Sequence, residues 1–123
     1  MTTITDFYQL KAWQENHQLV LSIYKITKDF PKEEKYGIID QLRRASSSVT
    51  ANIAEGFGRF HFADKIRFYL QARGSLKETE NFIYLSQDLK YLDKETAKKL
   101  WQQAKIGEQL LNGLIKSANK QKA

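Results

Sequence analysis

Few residues of this chain have the types and spacing that chemistry needs. His17 follows Glu15 by two positions and His61 has no acid three before it, so neither forms the Glu-x-x-His pair that di-metal bundles use. Cysteine is absent, which removes disulfides, thiolate metal sites and thiol catalysis together. Ser46, Ser47 and Ser48 have no base at a readable spacing, and small-residue packing accounts for them better than catalysis. Gly56-Phe57-Gly58 is not a phosphate loop, since no strand pattern precedes it and no Gly-Lys-Ser/Thr follows. No catalytic residue, metal ligand or cofactor is expected, and the chain reads as a non-enzyme.

The elements that must position the remaining candidates are helical. One proline, Pro31, and six glycines leave few places to turn. Trp13, Asn16, Val20, Ile23, Thr27 and Phe30 predict a helix over about 11–30, ended by Pro31. Ile39, Leu42, Ser46, Val49, Ile53, Phe57 and Phe60 form a coiled-coil-like seam on a second, about 36–58, with a turn near His61. A third, about 64–89, takes Asp64 as its cap. Its Ile66, Leu70 and Tyr84 point one way, and Phe68, Phe82 and Leu85 more than roughly 90° away. Burial most of the way round is the expectation, with Gly74-Ser75 admitting a close neighbour.

Asp93 caps a fourth helix, about 94–117, on the stripe Ala97, Leu100, Ala104, Gly107, Leu111, Ile115 and Ala118. Residues 119–123 are expected to fray. Short connections force antiparallel neighbours, so the expected fold is all-α: one domain over 1–123, an up-down-up-down antiparallel four-helix bundle. No run of ~18 apolar residues occurs, and Met1 to Leu10 has no basic region followed by an apolar one. A cytoplasmic protein without a membrane partner is expected.

Such a bundle carries both termini and the 59–63 turn at one end. There Lys11, Arg59, Lys65, Arg67, Lys116, Lys120 and Lys122 face only Asp6 and Asp64, which places +5 of the net +6 at that end. An anionic partner is expected, RNA or DNA most commonly, touching Lys11, Arg59, His61, Lys65, Arg67 and Lys116. The competing account is a solvated rim. Phe60 and Phe62 are candidates for base stacking, though core packing explains each more simply.

A polar stripe on the second helix runs through Arg44, Ser48, Asn52, Glu55 and Arg59. A turn centred near 61–62 brings Ser75 level with Ser48, and Glu78 and Glu80 level with Arg43 and Arg44. Interhelical salt bridges are expected there in preference to a carboxylate site. Two Trp, six Tyr and seven Phe, with the two apolar directions of the third helix, exceed what one small core absorbs. Phe68, Phe82 and Leu85 are therefore the expected surface for self-association.

Five stretches lie in an order that resembles a known family: Leu10-Lys11-Ala12-Trp13 with His17; Phe30-Pro31-Lys32-Glu33-Glu34-Lys35-Tyr36-Gly37; Gln41-Leu42-Arg43-Arg44-Ala45; Asn52-Ile53-Ala54-Glu55-Gly56; and Gly74-Ser75-Leu76-Lys77-Glu78. That family is the four-helix bundles first associated with proteins encoded in intervening sequences of 23S ribosomal RNA genes. Thr50 stands where the family pattern often has proline, which predicts a straighter second helix. The resemblance implies a ring-like homo-oligomer, a pentamer. A related branch, the accessory variability determinant of diversity-generating retroelements, is similar in length, basic charge and bundle pattern. That protein binds nucleic acid and a reverse transcriptase, so a reverse transcriptase becomes an implied partner. By position Asn52, Glu55, Ser75 and Glu78 look like the family's polar signature, with Arg43, Arg44 and Ser48 beside them, structural in role. The expected function is an oligomeric bundle that binds nucleic acid through its basic end. The alternative is a protein-interaction scaffold without such binding.

Overall fold

The computed structural model describes residues 3–122. Four helices follow one another: α1 (Lys11–Thr27), α2 (Ile38–Phe57), α3 (Phe62–Asp88) and α4 (Lys94–Lys122), with no strand among the described residues. Each packs on its neighbour in sequence and α4 closes back onto α1, while α1 and α3 lie on a diagonal with no close backbone approach. The fold is the expected all-α four-helix bundle.

The ends of the helices differ from expectation in instructive ways. Asp6 and Gln9 make a capping box, but on a single 3-10 turn, Phe7–Gln9, that precedes α1. α1 stops at Thr27, and Phe30 folds back into the core beside the Tyr91 ring, 5.4 Å away. α3 begins at Phe62 with His61 in the cap position, so Asp64 is not the cap. Its carboxylate lies in the first turn, where the positive end of the helix dipole still favours it. Asp93 does cap α4: its Oδ1 accepts the Thr96 amide at 2.7 Å, and that bond holds its carboxyl below the ordinary range. α4 remains helical to Lys122, past the point where fraying was expected.

The buried stripes of α2 and α4 follow the spacing of their sequences, down to each of the seven α4 positions named above. Of the expected α2 seam, Ile39 and Phe57 are only half-buried, and Phe60 departs altogether. It falls beyond the helix and is 87% exposed, so it belongs to the surface and not to the seam. α2 passes through Thr50 without a break, the threonine hydroxyl donating to the Ser47 carbonyl at 3.1 Å.

α3 is not buried most of the way round. Tyr69, Ala72, Leu76, Thr79, Glu80, Ile83 and Ser86 form one stripe, and Leu70, Tyr84 and Leu85 are left at the surface. A bundle helix meets only its two flanking neighbours, so a second apolar direction has nothing within the protomer to cover it. Gly74 faces open space and admits no neighbour. The close approaches are at Gly56, where an added Cβ would stand 2.7 Å from the Tyr69 ring, and at Gly107, where it would run into Asn16. None of the described helices is long and apolar enough to cross a membrane.

Candidate nucleic-acid interface

The turn between α2 and α3 brings two arginines of the basic end onto one ring. Arg59, just past α2, and Arg67, in the second turn of α3, place their guanidinium groups 4.6 Å and 4.5 Å from the centre of one ring, that of Phe68. Stacking of this kind is favoured by the ring's negative face and leaves the guanidinium edges free to donate. Each arginine also leans toward an acid on its own side of the turn, Arg59 to Glu55 at 3.8 Å and Arg67 to Asp64 at 3.9 Å. Ion pairs this long and this exposed contribute little to stability and exchange readily for a phosphate. Phe60 stands out beside them, and His61 meets its ring edge-on at 5.0 Å. His61 shares a shallow hollow with Phe60, Phe62 and Lys122.

Lys65 does not join this group. Its Nζ donates to the Phe57 carbonyl at 2.6 Å and lies over the Phe57 ring, and burial pushes its pKa down. It caps the exposed carbonyls at the end of α2 and lines a cleft of about 580 Å³ with Leu10, Phe62, Tyr69 and Leu114. Burial pushes the Tyr69 phenol in the same cleft up to about 12. Residues 65 and 67 are about 200° apart around a helix, so one looks inward when the other looks out. Lys11 and Lys116 are exposed on α1 and α4, across the end of the bundle from the two arginines. Of the six expected contacts, only Arg59 and Arg67 share a feature. The part Phe68 plays was missed, although Arg67-Phe68 adjacency one turn into α3 was the signal for it.

The polar signature separates into unlike pieces. Ser48 and Ser75 meet, Oγ to Oγ at 2.9 Å, in the register expected from the turn. Asn52 Nδ2 donates to the Ser48 carbonyl (2.9 Å) and hydroxyl (3.1 Å), which completes a small neutral cluster between α2 and α3. The expected salt bridges from Arg43 and Arg44 to Glu78 and Glu80 do not form. Arg43 turns to α1, donating to Thr27 Oγ1 (2.9 Å) and the Tyr24 carbonyl (3.3 Å). Arg44 leans on Asp40 at 3.9 Å, and Glu55 on Arg59. Glu78 is exposed and makes no ion pair among the described residues.

Glu80 faces α4, because five residues beyond Ser75 the helix has turned about 140°. There Lys77, Glu80, Lys105 and Glu108 close a ring of alternating charge with edges of 3.4, 3.7, 3.2 and 2.8 Å. The Lys77–Glu108 hydrogen bond is the largest cause both of the raised Lys77 pKa and of the lowered Glu108 pKa. His17 stacks on Trp13 at 4.4 Å. No group of three His, Asp or Glu among the described residues could hold a metal ion.

Residues 8–113 match the model of the 23S rRNA-intervening sequence protein family, and the chain belongs to that family. Its fold is also that of a crystal structure from Bacteroides thetaiotaomicron VPI-5482, a protein with unknown function of the S23 ribosomal protein family. The two share 22% identity and a TM-score of 0.76, over 85% of this chain and 98% of that one. No curated protein matches it.

Proposed function

We propose that this protein is a non-enzymatic, self-associating bundle of the cytoplasm that holds RNA or DNA at its basic end. The observation that carries the reading is the Arg59–Phe68–Arg67 stack. Two planar forks held on one ring, beside an exposed phenylalanine, suit a phosphate backbone and an unstacked base together. Such contacts are indifferent to sequence and weaken steeply with salt. A ring of copies, the pentamer that the family resemblance implies, would repeat the patch and convert a modest affinity into avidity. Association with a reverse transcriptase rests on the resemblance to the retroelement branch, and copurification with such an enzyme encoded beside this gene tests it.

Titration of labelled RNA and DNA at two salt concentrations tests the main reading. Binding is expected at low salt and a loss of about tenfold or more at high salt. Arg59→Glu with Arg67→Glu should abolish binding with helical content unchanged, whereas Lys65→Gln should alter it little. An intact oligomer that binds neither nucleic acid at low salt would overturn the reading and leave the protein-interaction scaffold in its place.

A further inference from the structure

Two helix faces turned away from the bundle are unpartnered, and they carry opposite charge. The outer face of α1 presents Leu21, 50% exposed, with Lys25 and Lys28. The outer face of α3 presents Leu85, 42% exposed, with Glu78 and Asp88, and in its middle Gly74, around whose missing Cβ nothing lies within 4 Å. None of these four charged side chains forms an ion pair among the described residues. Lys32 and Lys35 share a hollow with Lys28, and Lys90 and Lys94 share one with Asp88 at the far end of the α3 face. Arg67 is drawn to Asp64 and Lys77 to Glu80 and Glu108, while Asp29 follows Lys28 in the turn after α1. A glycine inside a 27-residue helix costs helix stability, and no neighbour within the protomer uses the space it leaves.

The heights of the two faces overlap. Arg43 of α2 bonds to Tyr24 and Thr27 of α1, and Ser48 of α2 to Ser75 of α3, so through α2 Leu21 stands level with about residue 75. Asn16 bonds to Gly107 of α4, and Lys77 to Glu108, so through α4 Leu21 stands level with about residue 83. Leu21 therefore comes between Gly74 and Leu85 by either route. Lys25 and Lys28, one and two turns further on, come level with the stretch from Glu78 to Asp88. Because α1 and α3 lie on a diagonal, the two faces point away from each other, and only a head-to-tail neighbour can lay one on the other.

We infer that the copies in the self-association proposed above dock α1 of one on α3 of the next. Leu21 enters the groove that runs from the space over Gly74 toward Leu85, and Lys25 and Lys28 face the acidic stretch from Glu78 to Asp88. This narrows the surface expected from Phe68, Phe82 and Leu85. Phe68 is occupied by two arginines and Phe82 packs against the core, which leaves Leu85.

Sedimentation of four proteins and one mixture decides the matter. The wild type assembles. Glu78→Lys with Asp88→Lys, and separately Lys25→Glu with Lys28→Glu, each weaken assembly by about tenfold or more by opposing like charges, with circular dichroism unchanged. The chain carrying all four changes assembles again, and an equimolar mixture of the two variants forms mixed complexes that neither forms alone, although strict alternation cannot close a five-membered ring. Loss confined to the α3 variant, with no rescue on mixing, would mean that α3 meets α3 and would overturn the docking. Assembly retained by both variants would overturn it as well and leave self-association standing. A folded wild-type monomer would remove the self-association reading itself.

Discussion

Along α3, the seam with α2 is closed by hydroxyls, an amide and a glycine, and the seam with α4 by four charges. Ser48, Asn52 and Ser75 satisfy one another without any group that titrates near neutrality, and Gly56 lets Tyr69 lie against the backbone of α2. On the other side Glu80, only 6% exposed, is held by the heads of Lys77 and Lys105, whose stems cross the groove. One Glu80 oxygen, Oε2, has no partner at all, which makes this carboxylate dependent on its two lysines. The neutral seam carries the arginine stack and the Lys65–Phe57 contact at its end. The charged seam adds a pH-dependent share to the stability of the bundle.

The sharpest way to break this contrast is to strip the charged seam of its cations. Lys77→Met with Lys105→Met leaves Glu80 buried and unpaired, and a loss of about 3 kcal/mol is expected in urea unfolding. Either single change should cost less, because one lysine still reaches the carboxylate. A double variant within about 0.5 kcal/mol of wild type, the scatter expected of an ordinary surface change, would show the ring to be ornamental.

Gly56→Ala probes the neutral seam by volume. The new methyl would meet the Tyr69 ring at 2.7 Å and the Lys65 carbonyl at 3.1 Å, both held by packing. A destabilisation of about 2 kcal/mol is expected from overpacking. It should be the same at low and high salt, and a strong salt dependence would contradict the neutral character assigned to this side.

Varying pH tests the charged side through Lys77 and Glu108, and the effect is smaller. Glu108 is held below its ordinary 4.5 by the Lys77 hydrogen bond, so its contribution is complete above that pH and is lost as pH falls through the depressed value. Lys77 is raised above 10.5 by the same bond, so its contribution is complete below 10.5 and is lost as pH rises through the raised value. The share of stability from this pair should be level between these limits, and Glu108→Gln should reduce the acid limb, leaving the part that Asp93 contributes. An unchanged acid limb in that variant would place the titration elsewhere.

What was legible beforehand follows from the same geometry. The α4 stripe was readable because alanines and glycine at three-and-four spacing have only one way to face a neighbour. The Ser48–Ser75 meeting was readable because a short turn fixes the register of an antiparallel pair. Lys65 was misplaced because assigning charge to an end of the bundle says nothing about direction around the axis. Glu80 was misassigned for a related reason: level with Arg44, it points at α4. Phe60 continued the seam by spacing alone, yet the helix ends at Phe57, before its turn comes round.

Gly74→Ala carries the contrast onto the third side of α3, the one that no neighbour covers. The methyl enters open space, so the dilute protein should gain about 0.5–1 kcal/mol from helix propensity alone. Gly56→Ala, the same change on the facing helix, is expected to do the reverse. In the assembled protein the added methyl takes up room reserved for Leu21 of the next copy, so association should weaken while the protomer becomes more stable. Urea midpoints measured at low concentration, with sedimentation at high concentration, separate the two effects. A more stable protomer that assembles as well as wild type would show that nothing enters at Gly74. A less stable one would show that the space over this glycine is already filled.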